Sequence, residues 1–148
     1  MQIRLATCLD IKDIRQINMD SLPVYYNHKE YINFILDNDT FVLVSLQDSI
    51  ITGYIIAKMY TRRRLHIITF SVNEKYRRKG IGSELIKETI KNAKDKKYKV
   101  KKVTLFVKKS NKLAINFYEK NEFMKKELLK NYYGQGDDGY YMVKILKK

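Results

Sequence analysis

One loop combines glycines, positive charge and the start of a helix. Residues 76–83 read Tyr-Arg-Arg-Lys-Gly-Ile-Gly-Ser and separate an apolar run from an amphipathic segment. Gly80 and Gly82 let the backbone approach a ligand, and a helix start adds free N–H groups and roughly half a positive charge. The loop is therefore predicted to bind a pyrophosphate group. Its spacing excludes a P-loop, and Leu85 stands where a dinucleotide fingerprint needs a third glycine.

A second segment, residues 110–123, carries an amide and a phenol on a helical pattern. Asn111 stands at the predicted helix start, and Tyr118 lies on the same side as Ala114 and Phe117. A phenol that faces a reaction centre can donate a proton to a leaving group. Packing of Tyr118 in the core is the alternative interpretation.

Hydrophobic periodicity predicts the elements that position these two segments. The order is β-α-α-β-β-β-α-β-α-β-β, with a first helix capped by Asp10. The strand–glycine turn–helix–strand unit over residues 65–107 predicts a parallel strand pair. We expect an α+β fold in which a mixed, mostly antiparallel sheet is flanked by helices. The predicted strands are 3–6, 41–46, 50–59, 65–72, 103–107, 123–128 and 140–146.

Both segments resemble the GNAT (GCN5-related) N-acetyltransferases, whose coenzyme A loop is Arg-x-x-Gly-x-Gly and whose later helix reads N-x-x-A-x-x-F-Y-x-K-x-G-F. Asn121 stands here at the position of the family's glycine. The resemblance covers essentially residues 1–148 and implies one acetyltransferase domain with acetyl-CoA as the acyl donor and no metal. It also implies that Tyr118 protonates the departing thiolate. The coenzyme-binding residues that it implies are Phe70, Ser71, Val72, Arg77, Arg78, Lys79, Gly80, Ile81, Gly82, Ser83, Asn111 and Tyr118.

Within this family the chain resembles the protein N-terminal (Nα) acetyltransferases. Residues 22–26, Leu-Pro-Val-Tyr-Tyr, look like the first helix–helix loop of the NatE catalytic subunit (San), and residues 134–142 resemble the tail of the NatA catalytic subunit and RimI. NatA and RimI types have Glu where Val24 stands here, so an apolar pocket for an N-terminal Met is implied. Its lining would be Leu22, Pro23, Val24 and Tyr26, with Tyr132 and Tyr133 opposite. The alternative is an ordinary helix–helix loop whose aromatic side chains pack inward.

The catalytic base departs from the family pattern. NatE uses a Tyr before the glycine loop and a His on the following strand, and here those positions are His66 and Phe106. Period-2 alternation predicts that His66 shares a sheet face with Ile68 and Phe70. An imidazole with an ordinary pKa near 6.5 can accept a proton, directly or through water. The alternative is that His66 only fills a tyrosine-sized space.

Three functions remain open. The first is acetyl transfer to protein N-termini by direct attack in a ternary complex, and the second is acetyl transfer to internal lysines or small amines. The third is a role as a weakly active acetyl-CoA-binding subunit of a ribosome-associated complex. The formal charge of +14 repels polyamines. AT-rich codon usage is an alternative explanation for part of the lysine excess. Residues 62–64 and 94–102 are basic, so contact with an auxiliary subunit, the ribosome or RNA would rest on charge.

The remaining composition fits this interpretation. A chain of 148 residues suits one domain, and Cys8, the single cysteine, excludes an intramolecular disulfide and favours a reducing compartment. The sequence has no run of about 20 apolar residues and no signal-peptide core at its start. We therefore expect a cytoplasmic protein without a membrane anchor.

Overall fold

The predicted order of strands and helices is confirmed in a computed structural model, which describes residues 1–21 and 26–147. The strands are β1 (Gln2–Leu5), β2 (Thr40–Gln47), β3 (Ile50–Met59), β4 (Arg64–Val72), β5 (Lys102–Lys108), β6 (Met124–Leu129) and β7 (Gly139–Ile145). The helices are α1 (Ile11–Ser21), α2 (His28–Leu36), α3 (Ile81–Asp95) and α4 (Lys112–Lys120). No helix in this described part is long and apolar enough to cross a bilayer.

The strands form one sheet in the order β1-β2-β3-β4-β5-β7-β6, and the predicted parallel pair is β4 with β5. These two strands pair only from Arg64–Lys102 to His66–Thr104. Beyond that point β4 continues beside β3 as far as Val72, while β5 continues beside β7 as far as Lys108. The sheet therefore opens between β4 and β5 in its middle.

Helices cover both faces of the sheet. The apolar sides of α3 and α4 pack on one face, against alternate residues of β4 and β5 such as Leu65 and Val103. The apolar sides of α1 and α2 pack on the other face, mainly against β2 and β3. The sheet therefore has two covered faces, the α3/α4 face and the α1/α2 face.

A β-bulge in β4 changes the predicted arrangement of side chains. Ile56 pairs with Thr69 and Ala57 pairs with Ile67, so Ile68 is an extra residue in β4. Ile68 packs on the α1/α2 face, whereas Phe70 packs on the α3/α4 face. The prediction that Phe70 shares a face with Ile68 and His66 is therefore wrong, because strict alternation ends at the bulge.

The first helical segment also begins differently from the prediction. Thr7 caps a 3-10 turn, Cys8–Asp10, that leads into α1. Asp10 closes this capping box by accepting a hydrogen bond from the Thr7 N–H at 2.8 Å, and it pairs with Arg4 at 2.7 Å. Asp10 is therefore not the cap itself, because the extra turn moves that position three residues towards the N-terminus.

A buried polar cluster ties α1 to the bulged part of β4. The Tyr54 hydroxyl contacts Asn18 Oδ1 and lies 2.8 Å from Thr69 Oγ1, and Thr69 donates to Asn18 Oδ1 at 3.1 Å. Tyr54 and Asn18 are fully buried. Unpaired polar atoms at this depth are costly, so these contacts hold β4 in place directly after the bulge.

Removing one member of this cluster is expected to destabilise the protein. Tyr54→Phe leaves part of the hydrogen-bonding capacity of Asn18 and Thr69 unused in the interior, and we expect a loss of about 1–3 kcal/mol in the free energy of unfolding. Urea denaturation measures this loss. The control is Tyr60→Phe at a half-exposed position, where a change within about 0.5 kcal/mol is expected. Equal effects of the two substitutions would contradict the role given to the cluster.

Candidate functional site

The glycine loop lies where the prediction placed it, between β4 and α3. Gly80 caps α3 with a left-handed φ of 79°, a conformation that glycine adopts without strain. The N–H groups of Ile81, Gly82 and Ser83 have no acceptor within residues 1–21 and 26–147. Open donors at the positive end of a helix are suited to binding an anion.

The three predicted cations of this loop have different surroundings. Arg77 Nε donates to the Val72 carbonyl at 2.9 Å, so this side chain braces the loop against the end of β4. Arg78 and Lys79 are exposed, and Lys79 lies over the ring of Tyr76. Arg77 is also exposed, so all three cations lie at the surface of this loop.

Gly82 permits close packing between α3, α4 and β4. A Cβ atom at this position would lie 2.9 Å from the Phe117 ring and 3.0 Å from the Phe70 ring. Phe70 stacks on Phe117 with ring centroids 5.7 Å apart. Gly82 therefore brings the helix start close to residues Phe70, Ser71 and Val72, at the end of β4 that β5 has left.

Helix α4 brings a buried phenol towards the opening. Asn111 caps the helix, with Oδ1 accepting the Ala114 N–H at 3.2 Å. Tyr118 is 9% exposed and packs between Phe70 and Phe123. Burial and the nearby Tyr133 hydroxyl raise the Tyr118 pKa. Tyr118 therefore stays protonated at neutral pH, as a hydrogen-bond or proton donor must.

Aromatic rings surround His66 on the face of the sheet opposite Leu65 and Ile67. The imidazole lies 5.5 Å from the Tyr60 ring and 5.1 Å from the Phe106 ring. Phe106 in turn stacks on Tyr132 at 4.9 Å. Tyr60, Phe106 and Tyr132 are each at least 38% exposed, so they form an accessible apolar surface beside the opening.

The loop between β6 and β7 holds Tyr132 and Tyr133 in this position. Asn131 has a left-handed φ of 58°, and its Oδ1 accepts the Gly136 N–H at 2.8 Å. Tyr133 covers Gly139 and contacts Tyr132 edge to face. Burial raises the pKa of Tyr133 to about 12. Tyr132 and Tyr133 are therefore held in place beside the opening.

Of the opposite wall predicted for the acceptor pocket, the structure describes Tyr26. Its ring contacts Tyr31 and Phe34 on α2, which fixes it near the start of that helix. Leu22, Pro23 and Val24 lie outside the described residues.

Two neighbours of His66 were not predicted from the sequence. His66 Nδ1 lies 2.7 Å from Thr104 Oγ1, and Arg64 Nη1 donates to that same oxygen at 3.2 Å. Burial, and then the charge of Arg64, lower the His66 pKa to about 4. The imidazole is therefore neutral at physiological pH. Thr104 is 38 positions from His66 in the chain, and no local motif indicates the contact.

Metal ligands do not cluster in the described residues: no group of three or more His, Cys, Asp or Glu side chains is arranged to hold an ion there.

Comparison with known proteins gives a consistent result. Residues 11–123 match the Acetyltransferase (GNAT) family. The N-alpha-acetyltransferase of Saccharolobus solfataricus is 32% identical over 155 aligned positions, covering 97% of this chain and 92% of that protein.

Two solved structures have the same fold across nearly their whole length. Ard1 from Thermoplasma volcanium is 28% identical with a TM-score of 0.88, covering 99% of this chain and 98% of that one. Arabidopsis thaliana Naa50, solved in complex with the bisubstrate analogue CoA-Ac-MVNAL, is 26% identical with a TM-score of 0.79, covering 98% of both chains.

The packing around Gly82 gives a direct test of the site. Gly82→Ala places a methyl group against the Phe117 and Phe70 rings, and overpacking of this kind costs about 1–3 kcal/mol. We expect that loss in urea denaturation, together with weaker binding of coenzyme A in calorimetry. Lys87→Ala, at an exposed position of α3, is the control. Unchanged stability and coenzyme A affinity in Gly82→Ala would show that the close approach has no role.

Proposed function

The chain is an acetyl-CoA-dependent acetyltransferase of the GNAT family, and we propose that its acceptor is the α-amino group of protein N-termini. The observation that carries this proposal is the opening between β4 and β5. An anion-binding helix start lies on one side of it, and an exposed aromatic surface around His66 lies on the other. The names of the relatives support the same acceptor.

The residues around the α3 start fit the donor substrate. Open N–H groups and the cations Arg77, Arg78 and Lys79 would hold its pyrophosphate. The unpaired edge of β4 at Phe70, Ser71 and Val72 would run beside its pantetheine arm. Acetyl-CoA supplies the acetyl group as a thioester. Asn111 at the start of α4 would contact the cofactor. Tyr118, about two turns further along the helix, would lie beside the sulfur, where its protonated hydroxyl offers a proton to the leaving thiolate.

Direct transfer in a ternary complex is the mechanism that the arrangement supports. Cys8 is exposed and follows β1, which is separated from β4 by two strands. A thiol at that distance is badly placed to form an acyl-enzyme. The acceptor nitrogen would therefore attack the thioester carbonyl itself.

The acid–base properties of the acceptor favour an N-terminus. An α-amino group with a pKa of about 7.7–8.0 is roughly 10–25% neutral near pH 7.2, whereas a lysine amine is neutral in less than about 0.1% of molecules. Deprotonation thus costs about 1 kcal/mol for the first and about 4 kcal/mol for the second. An N-terminus needs only a weak proton acceptor, such as water.

The aromatic surface indicates which N-termini fit. Phe106, Tyr132 and Tyr133 present apolar rings, and Tyr26 lies at the start of α2. An N-terminal Met followed by an apolar residue matches such a surface, as in NatE-type enzymes. Leu22, Pro23 and Val24 would complete the pocket by resemblance.

Partners are a further part of the proposal. The basic turn at residues 62–64 meets the basic loop before β5, because Lys101 N–H donates to the Arg63 carbonyl at 2.8 Å. This joint surface supports contact with an auxiliary subunit, the ribosome or its RNA during synthesis. A reaction on newly made N-termini implies work in the cytoplasm. A weakly active subunit and a lysine acetyltransferase are the alternatives.

A peptide assay distinguishes these alternatives. With acetyl-CoA and a Met-Leu peptide that contains an internal lysine, we expect acetylation of the α-amino group about 10²-fold over the lysine, from the neutral fractions above. Mass spectrometry assigns the modified nitrogen. The same peptide with a blocked N-terminus is the control. Transfer to lysine at a comparable rate, or thermal stabilisation by acetyl-CoA without turnover, would contradict the proposal.

Tyr118 provides the test of the proton donor. Tyr118→Phe removes the hydroxyl but keeps the ring that packs against Phe70 and Phe123, so kcat should fall about 10²-fold while the KM for acetyl-CoA changes little. Saturating steady-state kinetics measure both constants. Phe117→Leu, a change in a neighbouring ring, controls for altered packing. Full turnover by Tyr118→Phe would exclude the role.

A further inference from the structure

His66 occupies the last paired position before β4 and β5 separate. Its Nδ1 atom faces Thr104 Oγ1 at 2.7 Å, and Arg64 Nη1 donates to the same oxygen at 3.2 Å. His66 is 8% exposed and Thr104 is fully buried. Water therefore competes little for the bond between the two side chains.

The donors and acceptors available in the Arg64, Thr104 and His66 contacts determine which tautomer the imidazole adopts. The guanidinium of Arg64 carries donors only, so the Thr104 oxygen must accept from it. The Thr104 hydroxyl hydrogen has His66 Nδ1 as its acceptor, and the described residues contain no other partner for it. Nδ1 then accepts a hydrogen bond, and in a neutral ring the proton must be on Nε2.

We infer that His66 is a neutral hydrogen-bond donor, whose Nε2–H binds a carbonyl oxygen of the acceptor peptide, and that Arg64 and Thr104 are the positioning residues that fix this form. The inference rests on the proposed function for the location of the peptide. It replaces the proton-acceptor role that the sequence suggests, because the one nitrogen left for the opening already carries its proton.

The surroundings of the ring favour this neutral form. On its own strand Arg64 is a fixed cation, and on β3 the opposite residue is Lys58, which pairs with Asp37 at 3.8 Å. The turn after β3 contributes the Tyr60 ring and β5 contributes the Phe106 ring, with Tyr141 of β7 behind it. Burial and the Arg64 charge keep the His66 pKa at about 4, so the ring stays neutral throughout the working range of pH.

Nitrogen NMR of the free enzyme tests the tautomer without any assay of activity. In ¹⁵N-labelled protein, we expect His66 Nδ1 to resonate as an unprotonated nitrogen and Nε2 as a protonated one, unchanged from pH 8 to pH 5. The exposed His28 is the internal reference. Thr104→Val should remove the preference for this tautomer, and Thr104→Ser should restore it. A proton on Nδ1 in the native enzyme would overturn the inference, even if peptides are acetylated as proposed.

Kinetics test the contact with the peptide. Gln places an amide N–H close to the position of Nε2–H, so H66Q should bind peptide better than H66L. H66L should raise the KM for peptide about three- to tenfold, the value of one hydrogen bond, with the KM for acetyl-CoA unchanged. In all variants kcat/KM should rise with pH as the substrate amine loses its proton. For Thr104→Val, the control is Thr89→Val, which removes a threonine hydroxyl in the buried part of α3.

A base would give a different pattern. H66Q and H66L would then both lose kcat by about 10²-fold or more, and the peptide KM would change little. That outcome overturns the donor role while leaving the proposed function intact. Absence of peptide acetylation by the native enzyme would instead refute the proposed function, and with it the peptide contact, whatever tautomer the NMR experiment shows.

Discussion

The site depends on a strand pairing that stops early. β4 and β5 share three residue pairs and then separate, β4 remaining beside β3 and β5 beside β7. The unpaired backbone edge that results is a cost in most sheets, since its N–H and C=O groups need partners. Here it leaves an opening between β4 and β5. Tyr118 approaches it from the α3/α4 face, and His66 lies beside it on the other.

Several contacts on either side keep this opening in shape. The polar cluster of Asn18, Tyr54 and Thr69 fixes β4 directly after its bulge, and β5 is held by seven residue pairs with β7. Gly82 lets the start of α3 approach Phe70 at the free end of β4. The proposed donor and acceptor sides of the site are therefore both adjacent to the same short stretch of β4.

The sequence was informative where chemistry is local. Hydrophobic periodicity predicts the eleven elements, and the loop around Gly80 and Gly82 predicts an anion site, because capping and backbone freedom depend on neighbouring residues. The bulge at Ile68 is different. It inserts one residue into β4 relative to β3, and nothing in the residue types around it indicates where alternation ends. The partners of His66 were missed for the same reason, since their contact depends on the register between β4 and β5.

The positive charge of the chain links the two halves of the proposed reaction. A formal charge of +14 attracts an anionic donor and disfavours polycationic acceptors. Positive charge also affects the acceptor amine. The charge of Arg64 contributes to lowering the His66 pKa, and it disfavours the protonated form of a nearby amine for the same reason. An α-amino group bound beside His66 would thus be more often neutral than in water. The positive charge would then favour loss of the amine proton, so the reaction would not need a strong base. His66 would therefore be available to orient the peptide.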